Sequence, residues 1–291
     1  MANLANTGWQ GVNAAAVTPR GKGGDVNFGA TFDILDYLGA ARVGGIALFT
    51  AWGEYPALAL DDRARLLYLA VKRSRVPVLA GVGSATLDDS LTLAREARSA
   101  GASAVLVPPP LFYRYDQDDI REFYTQFAAQ LGGGIAVLLA GDIEPETACA
   151  LLETGRFAGI EDDSGAADSL ERLGTCSGAV LCGHDSLFSR ARCNGLGVIS
   201  PVAGVAPELA MALNRAIAAG ERDSVARFEA MFAELAGWLD KFPAAVGLKT
   251  AVTVRGIQTG PLAVPLSPAR QKCLEQFREW LQGWLPATRK L

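Results

Sequence analysis

Short apolar runs alternate with amphipathic stretches along most of the chain, and this alternation restricts the fold more than any other sequence feature. The apolar runs are nearly continuous, which is typical of strands that are buried on both faces of a parallel sheet. They predict strands at residues 11–17, 45–49, 76–80, 104–107, 135–139, 158–161, 179–182 and 196–200. Segments between them, such as 61–72 and 87–100, have apolar residues at helical spacing and acidic residues at their starts.

About eight strand–helix units in about 200 residues predict a (β/α)8 TIM barrel. We expect the barrel to span residues 1–206 and a C-terminal helical extension to span 207–291, packed together as one structural unit. The extension has helical patterns at 207–219, 222–240, 246–255 and 268–283. The alternative is an open, doubly wound sheet, which would need a glycine-rich phosphate-binding turn. Its sole candidate, residues 81–86, lacks the third glycine of that motif.

Charge and composition exclude several classes of partner. The net charge of −4 and the absence of clustered basic residues argue against nucleic acid. Residues 1–6 have neither a basic start nor an apolar run, so we expect no signal peptide, and no run is long enough to span a membrane. The five cysteines include no C-x-x-C pair, which predicts reduced thiols in a cytoplasmic protein without a metal site. We expect no cofactor.

Several motifs, in the same order along the chain, resemble those of one family. Residues 76–86 resemble the P-V-I-A-G-V-G-S-x-x-T run of the dihydrodipicolinate synthase / N-acetylneuraminate lyase family, and residues 53–58 resemble its G-E-x-x-x-L element. Residues 159–165 resemble its G-I-K-D-x-S-G segment except at the lysine. Further matches are residues 16–19, 195–200, 206–208, 248–249 and 261–262. The resemblance covers about residues 9–267 and is identified as family membership.

The resemblance implies a class I aldolase or hydro-lyase barrel with its pocket at the carboxyl ends of the strands. In the family, a lysine on strand six forms a Schiff base with a 2-oxo acid. A tyrosine on strand five relays protons, and a pair of hydroxyl residues after strand two binds the carboxylate. Family members are commonly tetramers, so we expect a homo-oligomer, either a tetramer or a dimer.

This sequence departs from the family at each of those positions. Glu161 occupies the lysine position, and Leu139 is assigned to the tyrosine position. Ala51 and Trp52 replace the hydroxyl pair. A carboxylate cannot form an imine, so we predict no Schiff-base aldolase activity at Glu161. Among the lysines, Lys22 alone is predicted on a loop at the same end of the barrel, after the first strand.

The predicted pocket combines these positions with others that end a strand or follow one. Glu161 is the candidate acid/base residue. The predicted binding residues are Thr18, Ala51, Trp52, Phe112, Leu139, His184 and Ser200. Phe112 and Tyr113 occupy the place where the synthases have a tyrosine that crosses a subunit interface, although packing explains them equally well. Glu161, Asp163 and His184 are chemically suited to a divalent metal, but they lack ligand spacing, so we predict no metal site.

Three hypotheses about function remain open from the sequence. The first is a lysine-less homologue without lyase activity that binds a small molecule or a partner. The second is a lyase that uses Glu161 in acid/base chemistry on a small oxo compound, and the third is an aldolase rescued by another lysine. An ionised Glu161 about 4 Å from a ligand carboxylate would repel it by about 4 kcal/mol at an effective dielectric of about 20, which favours a neutral or cationic ligand. Burial would instead raise the pKa of Glu161 and keep it neutral.

Overall fold

Eight parallel strands close into a barrel, in a computed structural model that describes residues 8–141, 143–288 and 291. Each strand pairs with the next, and β1 also pairs with β8, which confirms the predicted (β/α)8 fold. The strands are β1 Val12–Ala15, β2 Gly45–Leu48, β3 Val78–Gly81, β4 Ala104–Val107, β5 Ala136–Ala140, β6 Gly159–Asp162, β7 Ala179–Cys182 and β8 Gly197–Ser200. The signal-peptide prediction for residues 1–6 lies outside the described residues.

Twelve α-helices surround and extend the barrel in the described part of the chain. Those between or directly after strands are α1 Phe28–Ala40, α2 Leu60–Arg73, α3 Leu87–Ala100, α4 Gln117–Leu131, α5 Pro145–Glu153, α6 Ala167–Leu173, α7 Phe188–Cys193 and α8 Pro201–Val205. The remaining four are α9 Pro207–Ala219, α10 Arg222–Leu239, α11 Ala244–Val254 and α12 Pro268–Thr288. The helix predicted at 268–283 therefore continues for more than another turn. Helix α3 begins where the Thr86 side chain accepts a hydrogen bond from the Asp89 amide, and it ends at Gly101 in the left-handed region.

Two apolar cores lie on opposite faces of the sheet. The inner core fills the barrel with residues Trp9, Ala15, Ala47, Leu79, Ala104, Leu106, Leu138, Ala140, Leu181 and Ile199. The outer core lies between the sheet and the helices. Because successive side chains of a strand point to opposite faces, Leu138 and Ala140 belong to the inner core while Leu139 belongs to the outer one.

A buried ion pair joins the C-terminal helices to the barrel. Lys249 on α11 donates to Glu54, which follows β2, over 2.6 Å, and it also donates to the Pro261 carbonyl over 3.1 Å. The other Glu54 oxygen accepts from the Ala263 amide. Glu54 has a φ of 54°, which is uncommon outside glycine and is maintained by these contacts. The pair therefore positions the segment that follows β2.

One prediction about the cysteines is wrong. Cys149 on α5 and Cys176 after α6 form a disulfide, with their Cα atoms 5.4 Å apart, so not all five thiols are reduced. The sequence did not indicate this pair because a barrel brings neighbouring outer helices together across 27 residues. The predicted cytoplasmic location stays a prediction. No helix among the described residues is both long and apolar enough to cross a membrane.

Replacing Lys249 with methionine would leave the Glu54 carboxylate largely buried without its cation. We expect the free energy of unfolding to fall by about 3 kcal/mol, measured by urea denaturation, because an unpaired buried charge is costly. The double variant E54Q/K249M should regain most of that loss. The control K272M, at an exposed position on α12, should change stability by less than about 0.5 kcal/mol. A loss below about 1 kcal/mol in K249M would contradict the role of this pair.

Candidate active site

A cavity of about 90 Å³ lies at the carboxyl ends of the strands, which is the end where TIM barrels place their active sites. Its walls come from residues at or just after the ends of β2 to β6. They are Phe49, Thr50, Ala51, Trp52, Tyr55, Gly81, Leu106, Pro108, Ala140, Gly141, Glu161 and Asp163. No lysine or arginine is among these lining residues. The walls are mostly apolar, and the charged groups that line them are two carboxylates.

Glu161 enters the cavity from β6. It pairs in register with Ala140 on β5 and with Leu181 on β7, while the preceding Ile160 points to the outer core. Gly183, which follows β7, has no side chain and so leaves room for the Glu161 carboxylate. A Cβ atom at that glycine would lie 3.2 Å from Glu161 Oε1 and 3.2 Å from Asp163 Oδ1. Two carboxylates therefore approach one point at the mouth of the barrel.

The environment of Glu161 favours its protonated form. Burial, together with the charges of the neighbouring Asp163 and Asp162, raises the pKa of this carboxyl to about 8. No donor among the described residues hydrogen-bonds to the Glu161 carboxylate, and no described cation lines the cavity with it. With that pKa the carboxyl is mostly protonated at neutral pH, where it can donate a proton, and it is half-ionised near pH 8.

A buried arginine supports the aromatic wall from behind. The Arg63 guanidinium on α2 lies 5.0 Å from the centre of the Tyr55 ring and 5.5 Å from that of Phe49. It donates to the carbonyls of Gly81 and Gly83 over 3.0 and 2.8 Å. Burial lowers its pKa to about 10. Arg63 itself is not among the residues that line the cavity.

Arg63 is not among the residues predicted from the sequence, although the sequence contains a signal for it. Arg63 lies three, four and seven residues before Leu66, Leu67 and Ala70, and all four side chains are buried on one face of α2. A charged residue at the head of an apolar stripe indicates a buried cation that needs acceptors. The pattern could have identified the buried position but not the two carbonyls that it contacts.

Some of the predicted binding residues line the cavity and others do not. Ala51, Trp52 and Glu161 line the cavity. Thr18 does not line it; this residue is buried, with its hydroxyl oxygen 3.4 Å from where a Cβ of Gly53 would lie. The assignment of Leu139 to the pocket is wrong, because strand alternation turns this side chain to the outer core and places Ala140 opposite Glu161.

Phe112, His184 and Ser200 do not line the cavity either. Phe112 is 89% exposed, has a φ of 84° and borders a separate groove beyond Tyr55 and Arg63. The His184 ring lies 2.8 Å from the Ser186 hydroxyl and caps the short 3-10 helix Asp185–Leu187. Ser200 caps α8, where its oxygen accepts from the Ala203 amide. These two side chains serve local turns, which residue type alone did not reveal.

Polar groups around β7 and β8 satisfy one another instead of facing the cavity. Asp185 accepts a hydrogen bond from the Val202 amide over 2.8 Å and another from the Ser200 hydroxyl. Burial raises the pKa of Asp185 to about 7, although both hydrogen bonds oppose the shift. In the part of the chain that the structure describes, no group of three His, Cys, Asp or Glu side chains is arranged to hold a metal ion.

The lysines considered as substitutes lie elsewhere. Lys22 is exposed in the turn between Arg20 and Val26, which pair in an isolated bridge after β1. Lys249 is buried in its ion pair with Glu54. No lysine within the described residues is part of the cavity wall.

Comparison with known proteins establishes the family. Residues 9–283 match the profile of the Dihydrodipicolinate synthetase family. An uncharacterised DapA-like lyase of Halobacterium salinarum is 32% identical over 239 residues, which are 78% of each chain. A 4-hydroxy-tetrahydrodipicolinate synthase of Anaeromyxobacter dehalogenans is 29% identical over 283 residues, which are 93% of this chain and 95% of the relative. The chain belongs to the dihydrodipicolinate synthase family.

Solved structures agree on the fold. A dihydrodipicolinate synthase from Aquifex aeolicus superposes with a TM-score of 0.86 at 24% identity, covering 94% of this chain and 98% of the other. YagE of Escherichia coli K12, a prophage protein of the same family solved in complex with pyruvate, has a TM-score of 0.86 at 22% identity. That match covers 95% of this chain and 98% of YagE. At these identities the likeness concerns the barrel and its extension.

The pKa of Glu161 predicts a pH-dependent stability. A carboxyl whose pKa rises from its ordinary 4.5 to about 8 on folding binds more protons in the folded state, so its contribution weakens as pH rises between those values. We expect Glu161→Gln to be more stable than the unchanged protein at pH 8 by on the order of 2 kcal/mol, after allowing for screening by water. The difference should be much smaller at pH 5, in urea denaturation.

The matched control for this prediction is Asp168→Asn, which makes the same kind of change at an exposed position in the first turn of α6. Its stability difference from the unchanged protein should be about the same at both pH values. A Glu161→Gln difference that does not grow with pH would mean that Glu161 titrates normally.

Proposed function

We propose that this protein is a lysine-less member of its family that binds a small molecule at the mouth of the barrel without forming an imine. The observation that carries the proposal is Glu161, a carboxylate at the position where the family resemblance implies the Schiff-base lysine. No amine among the described residues lines the same cavity. Imine formation requires an uncharged amine that can attack a carbonyl, and a carboxylate cannot replace it.

Size and charge narrow the class of ligand. At about 90 Å³ the cavity has room for several water molecules, so the enclosed part of a ligand is small. An ionised Glu161 would disfavour the carboxylate of a 2-oxo acid by about 4 kcal/mol at about 4 Å and an effective dielectric of about 20, and the exposed Asp163 adds a weaker repulsion. A neutral or cationic ligand fits these walls better than pyruvate does.

A second candidate is a lyase that uses Glu161 as an acid or a base on a small oxo compound. The position of Glu161 in the cavity wall favours it, because burial there raises the pKa of the carboxyl to about 8, which suits general acid/base catalysis near neutral pH. The relatives named as lyases and synthases are consistent with either candidate. An aldolase with a substitute lysine is disfavoured, since Lys249 is paired with Glu54 and Lys22 is exposed outside the cavity.

We also propose that the chain forms a homo-oligomer, a dimer or a tetramer. Phe112 and Tyr113 are 89% and 70% exposed, and their ring centres are 5.1 Å apart. Exposed aromatic rings next to one another are typical of a contact surface between proteins. The proposed partners are therefore a small molecule and further copies of the chain, and not nucleic acid.

Borohydride trapping tests the absence of an imine. The protein is incubated with pyruvate and sodium borohydride and then analysed by intact mass. We expect no adduct, because no lining residue supplies an amine. A dihydrodipicolinate synthase treated in parallel should gain the mass of one reduced pyruvate.

The matched variant is Glu161→Lys, which places an amine at the same point of β6. An adduct on this variant, together with none on the unchanged protein, assigns the loss of imine chemistry to residue 161. An adduct on the unchanged protein would overturn the proposal. Peptide mapping would then test Lys22 first.

A further inference from the structure

We propose that the Cys149–Cys176 disulfide is a thiol–disulfide exchange site, which a dithiol reductant opens in the folded protein and which controls how firmly the segment after Glu161 is held. The proposal goes beyond the imine-free function and does not depend on it. Three observations carry it: the pair lies beside an open groove, it joins a weakly attached helix to its neighbour, and the loop that it closes contains part of the cavity wall.

The disulfide lies in the outer layer of helices, where solvent can approach it. Cys149 and Cys176 are both half-buried, and Cys149 lines an open surface groove of about 450 Å³ along α5 and α6. The other lining residues of this groove are Pro145, Glu146, Glu171, Arg172 and Thr175. Exchange requires a thiolate to reach one of the two sulfurs, so access limits its rate. Cys149 Sγ is accordingly the atom that a reductant attacks.

The exchange transfers two electrons from the dithiol to the protein. One thiolate of the dithiol attacks Cys149 Sγ, forms a mixed disulfide and releases the Cys176 thiolate, which takes a proton from water. The second thiol of the dithiol loses its proton to water and attacks the first sulfur of the same reductant, which releases Cys149 as a thiolate that is protonated in turn. Both cysteines are then reduced, and the dithiol has become a disulfide. Cys176 Sγ lies 3.5 Å from the Arg172 carbonyl, which can accept the new S–H.

Helix α6 has few other strong attachments. It is seven residues long, and Ala166 before it supplies no side-chain capping hydrogen bond. A helix of this length is unstable without tertiary contacts, and α6 buries three side chains. In its ion pair with α5, between Arg172 and Glu146, both side chains are more than half exposed, so the pair contributes little. The covalent link from Cys176 to α5 therefore secures the carboxyl end of α6.

The loop closed by the disulfide contains part of the cavity wall. Between Cys149 and Cys176, which are 27 residues apart, the chain forms β6 with Glu161, the loop 163–166 and α6. Asp163, the first residue of that loop, lines the cavity. A cross-link that joins the ends of a segment restricts its opening, and its removal lets weakly attached elements open more often. Reduction therefore loosens α6 and the cavity wall at Asp163.

Site-resolved alkylation measures the exchange. The folded protein is treated with dithiothreitol, a small dithiol, and timed samples are alkylated with iodoacetamide, digested and analysed by mass spectrometry. We expect Cys149 and Cys176 to be reduced together, at a rate within about tenfold of the rate in urea, because the groove admits the reductant. Glutathione disulfide should re-form the pair after the dithiothreitol is removed. Reduction that occurs only in urea, or a pair that does not re-form, would overturn the exchange site.

A reductant with one thiol identifies the sulfur that is attacked. Glutathione forms a mixed disulfide and releases the other cysteine, which iodoacetamide then traps. We expect glutathione on Cys149 and the alkyl group on Cys176, since Cys149 lines the groove. The reverse pattern would overturn the assignment of Cys149 as the attacked residue.

Hydrogen–deuterium exchange measures the effect on the segment. On reduction, the backbone amides of residues 163–176 should exchange severalfold faster, whereas those of α1 and α2 should change by less than about twofold. The double variant C149A/C176A should match the reduced protein without any reductant. The matched control is Cys193→Ala, which removes an exposed free thiol on α7 and should match the oxidised protein.

Equal exchange at residues 163–176 in the oxidised and reduced proteins would overturn the control of this segment by the disulfide. If the double variant fails to fold, the reduced unchanged protein provides the same comparison. Borohydride trapping with pyruvate decides the imine-free function separately, so the two proposals can fail independently.

Discussion

Strand alternation in a closed barrel determines what the mouth of this protein contains, and the rest of the site depends on it. On β6 it directs Ile160 to the outer helices and Glu161 to the interior. On β5 it does the same with Leu139 and Ala140. Because β5 and β6 pair in parallel with Ala140 opposite Glu161, a methyl group faces the carboxylate. Among the residues that the structure describes, none donates a hydrogen bond to this carboxylate, and burial raises the pKa of Glu161.

Buried charged side chains in the described structure fall into two groups: those with a polar or charged protein partner and one without. Lys249 is paired with Glu54, and the two terminal nitrogens of Arg63 donate to the carbonyls of Gly83 and Gly81. Asp185 accepts hydrogen bonds from Val202 and Ser200. Glu161 differs, because it faces a cavity and receives no hydrogen bond from a described residue. The paired charges stabilise the barrel and its helices, whereas Glu161 faces the cavity at the mouth of the barrel.

The fold was largely predictable, because periodicity is a local property of the sequence. All eight strands were anticipated, and α3 and α9 have the bounds that their patterns predict. The order and closure of the sheet follow from the right-handed connections of parallel strands. The disulfide between Cys149 and Cys176 could not be predicted in this way, since it depends on how far apart two outer helices lie.

For the site, the sequence alone determined that a carboxylate, Glu161, replaces the lysine that the family motif implies, and that Ala51 and Trp52 follow β2. Only the tertiary structure decided which neighbours face that carboxylate. In the folded barrel Ala140, and not Leu139, faces Glu161. His184 and Ser200 cap short helices, and the Arg63 guanidinium packs against the Tyr55 ring. The reason is physical. Residue identity and spacing are fixed along the chain, whereas side-chain direction, burial and the local electric field arise only when distant strands pair and close.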